Sequence, residues 1–199
     1  MELLKISKEN TQFNIFLEKA NEAYSARSDE KVPFSPISAE DITAEEQIFI
    51  LIDGGEVVSG CCLYPMSEKA VRLQHVWTDV CKPRKGYAGF MVNEVTKIAK
   101  EQGYLQIKLG VMSAYKPAYN LYKNRGWKGY AIVANQPKTC YTVSMVKYLG
   151  EKGKTAFGIK RAWKFFLSKI KFFLLFKKDS TPKWLYRVIY KKQQREHIL

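Results

Sequence analysis

The sequence predicts an α/β (α+β) domain, with helices flanking a mixed, mostly antiparallel sheet of about six to seven strands, and a helical C-terminal extension. Three observations carry this. Segments of helical and strand periodicity alternate after an initial β meander, which calls for helices packed on a sheet. Asp53-Gly54-Gly55 joins two apolar runs, a strong hairpin signal. Composition then changes abruptly near residue 150. With 199 residues, 46% of them apolar and 14% aromatic, the chain can bury a core and is not globally disordered.

Taken in order, Phe13, Ile15, Phe16, Ala20 and Ala23 recur at helical spacing and predict a helix over 12–23. After Pro33 and Pro36, Ser38-Ala-Glu-Asp reads as the cap of a short second helix. Residues 48–66 form the hairpin, and 70–80, rich in β-branched and aromatic side chains, form another strand. Ala88, Met91, Val92, Val95, Ile98 and Ala99 line one face of a helix that Gly103 ends. Residues 105–113 alternate as a strand, Pro117–Arg125 reads as a helix stopped by Gly126, and two last strands complete the domain by about residue 150.

The net charge of +14 is unevenly spread. Residues 151–199 carry 14 Lys/Arg against three acids, a net of +11, while residues 1–150 carry 19 against 16, a net of +3. The body is nearly balanced, so its basic character gives no nucleic-acid signal. Cys61, Cys62, Cys81 and Cys140 follow no zinc spacing, and with His75 and His197 as the only histidines no metal site is expected. Reduced cysteines and a first segment without an apolar h-region read as a cytoplasmic chain.

The stretch "CKPRKGYAGF", 81–90, sets Lys82, Arg84 and Lys85 around Gly86 just before a helix. A strand that turns through Gly into a helix presents free N–H groups at the positive end of the helix dipole, which suits phosphate. Gly86 lets the backbone approach an anion, and Ala88 is small enough not to obstruct it. The stretch is neither a Walker A loop nor a dinucleotide-binding fingerprint. Combined with "AYNLYKNRGW", 118–127, one helix and one strand later, it resembles the GNAT superfamily of acyl-CoA N-acyltransferases over roughly residues 1–150.

That resemblance implies acetyl-CoA as co-substrate. The implied coenzyme A-binding set is Val80, Lys82, Arg84, Lys85, Gly86, Tyr87, Ala88 and Gly89. Pro83 stands where the family carries Arg or Gln, and Tyr115 where many members carry Asn. The resemblance further implies direct attack of an amine on the thioester, with Tyr122 as general acid protonating the leaving thiolate. For the base, His75 and Asp79 sit on the preceding strand, and strict alternation puts Leu73, His75, Trp77 and Asp79 on one face. The acceptor stays open between a small-molecule amine and a cell-envelope precursor. A catalytically degenerate domain that binds coenzyme A without turnover is the alternative.

The extension from 151 to 199 mixes Phe, Leu, Trp and Tyr with Lys and Arg at helical spacing, and has no uncharged run long enough to span a bilayer. It reads as a helix packing on the body or forming a homodimer, or as a peripheral attachment of 157–192 to an anionic membrane surface. Its wide apolar arc argues against nucleic acid.

Overall fold

The structure is a computed structural model that describes residues 1–28, 35–134, 141–150 and 166–167. Seven strands and three helices are present: β1 (Glu2–Ile6), α1 (Gln12–Ser25), β2 (Gln47–Asp53), β3 (Glu56–Ser67), β4 (Ala70–Thr78), α2 (Tyr87–Glu101), β5 (Gln106–Met112), α3 (Lys116–Asn124), β6 (Lys128–Ala134) and β7 (Tyr141–Tyr148). They form a single sheet in the order β1-β2-β3-β4-β5-β7-β6. Every neighbouring pair is antiparallel except β4 and β5, which are parallel and joined through α2.

The mixed, mostly antiparallel sheet agrees with the expectation. The seventh strand, β1, is one that the sequence concealed: five residues at the sheet edge, register-paired from Glu2↔Ile52 to Ile6↔Ile48. The short helix expected after the Ser38 cap is absent, and residues 38–46 are turns, bends and irregular chain. The expected Ser38 cap does form, because the Ser38 backbone N–H donates to Asp41 Oδ2 at 2.8 Å, and a second turn closes where the Thr43 N–H donates to Glu46 Oε1 at 3.0 Å. With β2 beginning at Gln47, they close isolated turns and leave no length in which a helix could propagate.

Two cores cover the two faces of the sheet. On one, α2 and α3 bury Tyr87, Met91, Val92, Val95 and Tyr122 over Cys61, Leu73, Ile107 and Met145. On the other, α1 buries Phe13, Phe16, Ala20 and Ala23 over Ile48, Ile50, Cys62 and Trp77. Each of these large side chains contributes about 1.5–3 kcal/mol by leaving water. Phe16 meets the Trp77 indole edge-on at 5.8 Å, and both pack over Gly60, where no side chain would fit. The hairpin turn uses Gly54 and Gly55 at φ +60° and +82°, the left-handed pair that a two-residue connection requires.

The one parallel pairing is short, only Ala70↔Gln106, Val71↔Ile107 and Arg72↔Lys108. β4 continues to Thr78 and β5 to Met112, so beyond Arg72 and Lys108 the two strands part. Ligands of α/β sheets bind outside the carboxyl ends of parallel strands, where the chain leaves in different directions. Here α2 starts beyond the end of β4, and α3 beyond the end of β5. The predicted helix within 151–199 lies outside the described residues, apart from Phe166 and Leu167, which are helical and, respectively, 53% and 39% exposed.

Candidate active site

The turn between β4 and α2 is fixed at several points. The Asp79 Oδ1 accepts from the Cys81 N–H at 2.8 Å, its Oδ2 faces Lys19 Nζ of α1 at 3.5 Å, and its carbonyl accepts from the Lys82 N–H. Lys82 in turn pairs with Glu56, and the Tyr87 hydroxyl donates to Asp53 Oδ2 at 2.7 Å. Lys82 and Tyr87, both expected at the cofactor, thus also tie the turn to the β2–β3 hairpin. Arg84 and Gly86 take left-handed φ values of +61° and +83°. The first is costly for a side-chain-bearing residue. Gly86 is the N-cap of α2, no side chain caps the helix, and its first turn contains no acid. The N-terminal N–H groups therefore face outward, flanked by the exposed Arg84 and Lys85. Val80 is exposed at the start of the turn, Ala88 is half-buried, and Gly89 is buried beneath the Arg125 guanidinium.

Tyr122 stands on the α3 side of the parted strands, 5% exposed, with its ring edge-on to Trp127 at 5.6 Å. Burial pushes the phenol well above its ordinary range, and Cys61 adds to this while Arg27 opposes it. Tyr24, near the end of α1, also has a raised pKa from burial and interacts with Tyr122, Arg27, Cys62 and Cys61.

The expected common face of His75 and Asp79 needs correction. Gly60 pairs with Trp77 and Cys62 with Gln74, so Cys61 opposes two residues, His75 and Val76. This is a β-bulge, with His75 at φ +53°. It breaks the alternation: Leu73 and Trp77 lie in opposite cores. Asp79 lies past the end of β4, and its carboxylate faces Lys19 and Cys81. The acids facing His75 are instead Glu46 and Asp41; burial lowers the imidazole pKa, and these two carboxylates counter the effect in part. Cys61 thus stands across the ladder from His75 and Val76.

Residues 12–127 match the family described as the Acetyltransferase (GNAT) family, a match over more than half of the chain. This chain belongs to the GNAT acetyltransferase family. Solved structures agree in fold. A GNAT family acetyltransferase from Elizabethkingia anophelis with acetyl-CoA bound is 12% identical, with a TM-score of 0.59 over 74% of this chain and 97% of that one. The aminoglycoside 6'-N-acetyltransferase from Enterococcus faecium is 15% identical (TM-score 0.60, 75% and 98%). A ribosomal-protein alanine N-acetyltransferase from Escherichia coli is 14% identical (TM-score 0.60, 79% and 99%). No curated protein matches the chain.

In this GNAT chain, the α2 turn and Tyr122 could be singled out from the sequence because their motifs are local. Tyr24, Arg27, Glu46 and Arg125 could not. Tyr24, Arg27 and Glu46 belong to no motif, and Arg125, though inside 118–127, is brought over Gly89 only by the fold. Among the described residues, no group of three or more His, Cys, Asp and Glu is arranged to hold a metal ion.

Proposed function

We propose that the protein transfers the acetyl group of acetyl-CoA to a primary amine by direct attack, with His75 as general base and Tyr122 as general acid. The supporting observation is the uncapped, cation-flanked N-terminus of α2 at the opening of β4 and β5, with α3, which carries Tyr122, starting beyond the end of β5 and His75 lying in β4 past its pairing with β5. The residues fit the co-substrate: outward N–H groups of α2 with Arg84 and Lys85 suit its pyrophosphate, and the parted strands leave edges for its amide-bearing arm. Acetyl-CoA supplies a thioester carbonyl carbon, which gains the C–N bond as its C–S bond breaks.

Each residue then has a task. The neutral His75 imidazole takes one proton from the acceptor ammonium and passes it to solvent. Tyr122, held protonated by burial, gives its phenolic proton to the departing sulfur. It regains one from the nitrogen as the amide forms, so one proton is released per turnover. Burial also disfavours a free thiolate, which keeps the transfer from phenol to sulfur feasible. Asp79 is assigned to holding the turn, because its two oxygens face Lys19 and Cys81. Arg84 and Lys85 replace the side chain that Pro83 lacks at the family's Arg/Gln position.

The acceptor class is a small-molecule amine or an envelope precursor reached at a membrane surface through 157–192, a segment that lies outside the described residues almost entirely. The test is release of free thiol from acetyl-CoA across a panel of amines. Amine-dependent release that disappears in Tyr122→Phe supports the reading; failure to bind coenzyme A at all overturns it.

A further inference from the structure

The turn that leads into α2 is held from outside by the β2–β3 hairpin. Asp53 ends β2, Glu56 begins β3, and the two pair across the Gly54-Gly55 turn. Each of these acids reaches one end of the segment 82–87. Glu56 pairs with Lys82 Nζ, and Asp53 Oδ2 accepts from the Tyr87 hydroxyl at 2.7 Å. A third tie, from the Asp79 N–H to the Val58 carbonyl at 2.9 Å, fixes the place where the chain leaves β4. Between the two held ends, Arg84 and Gly86 adopt left-handed backbone. Such a conformation persists in a side-chain-bearing residue only where the surroundings over-determine it.

Tyr87 is the first residue of α2, and its ring is buried in the core that this helix covers. The Phe90 N–H donates to the Gly86 carbonyl at 2.9 Å, the first bond of the helix. The N–H groups of Tyr87, Ala88 and Gly89 therefore have no helical carbonyl to meet. Where they point depends on how Tyr87 is anchored. By charge alone, an acid tied to the first residue of an anion-binding helix opposes the anion. Any gain in binding from Asp53 has to come through geometry.

We propose that Asp53 is a positioning residue for coenzyme A: through the Tyr87 hydroxyl it sets the first turn of α2, and together with the Glu56–Lys82 pair it holds the 82–87 turn in a phosphate-receiving shape before the ligand arrives. The inference rests on the α2 turn being the coenzyme A site. The other oxygen of Asp53 faces the Met1 amino group at 3.5 Å, a half-exposed pair that contributes little. The Tyr87 bond is the partly buried contact of this carboxylate. A preformed turn leaves less ordering for the ligand to supply, which appears as affinity.

Calorimetric titration of coenzyme A into full-length variants tests this. Asp53→Ala is expected to weaken binding about five- to tenfold, the loss of one hydrogen bond to a charged acceptor. Tyr87→Phe keeps the buried ring and should weaken it to the same extent. The double variant should bind no more weakly than either single one, since both remove the same bond. Asp53→Asn discards the charge but keeps an acceptor oxygen, and should restore most of the affinity. In the ligand-free proteins, amide hydrogen exchange over 84–89 should quicken in Asp53→Ala and in Tyr87→Phe. If Asp53 acts by charge alone, Asp53→Ala and Asp53→Asn both bind more tightly than the wild type, and that result overturns the inference. A lowered urea midpoint in Asp53→Ala with unchanged affinity and exchange marks a merely structural contact and overturns it as well. Should Tyr87→Phe fail to fold, the half-exposed Asp53 still carries the test through its Ala and Asn variants. A wild type that binds no coenzyme A overturns the functional reading and this inference with it. Wild-type binding beside an unweakened Asp53→Ala overturns this inference alone.

Discussion

At the scale of single residues, the proposed roles of Tyr122 as acid and His75 as base make opposite demands, and burial acts on each in the direction required. Tyr122 must keep its proton until sulfur needs it, and burial under α3 raises its pKa. Replacing it with Phe preserves packing on Trp127 and should reduce kcat by about 10²-fold with little change in the KM for acetyl-CoA, as read by steady-state thiol release. His75 must be neutral, and burial lowers its pKa. The acid limb of kcat/KM should therefore lie below the ordinary imidazole range. The same shift affects stability. Between the ordinary pKa near 6.5 and the lower folded value the unfolded chain binds more protons, so stability falls as pH drops through that window. Urea midpoints measured at successive pH values should show this loss in the wild type and less of it in His75→Gln. Tyr122 was legible in the sequence because "NLYKNRGW" is contiguous. The tie between Glu46 and β4 was not, because it is a side-chain hydrogen bond from Gln74 across 28 positions of sequence.

At the scale of elements, the surroundings and backbone of three glycines separate structure from binding. A Cβ at Gly60 would lie 2.5 Å from the Trp77 Nε1 and 2.7 Å from the Phe16 ring, both fully buried. Gly60→Ala should cost about 1–3 kcal/mol of stability by denaturant titration. At Gly89 the obstacle is the Arg125 Nη2 at the end of a flexible side chain, so Gly89→Ala should displace Arg125 with a smaller stability loss. Gly86 meets no atom within 4 Å, but its φ of +83° disfavours any side chain. Gly86→Ala should combine about 1–2 kcal/mol of strain with a raised KM for acetyl-CoA. Helix and strand periods made α1, α2, α3 and most strands readable. Strand 70–78 was readable as a strand but not as a bulged one, because alternation in sequence assumes an unbroken pleat. The turns at 38–46 show the converse, since capping residues alone do not make a helix.

At the scale of the whole molecule, the sheet opens where its single parallel pairing stops, and the body gathers its candidate chemistry there. The short edge strand β1 was hidden because Glu2–Ile6 earns its place by pairing with β2 rather than by any pattern of its own. The net +11 carried by 151–199 sets that extension apart. If it attaches to anionic membranes, full-length protein should pellet with anionic vesicles, less so as salt rises, and a 1–150 truncation should stay in solution. Equal pelleting of the two would remove that role. The central claim, that the opening at α2 holds coenzyme A, is tested most directly by calorimetric titration of coenzyme A into the full-length protein and into Arg84→Ala/Lys85→Ala. The account predicts one site per chain in the wild type and at least about tenfold weaker binding in the variant. The absence of binding to the wild type, or equal affinity in both, would contradict it.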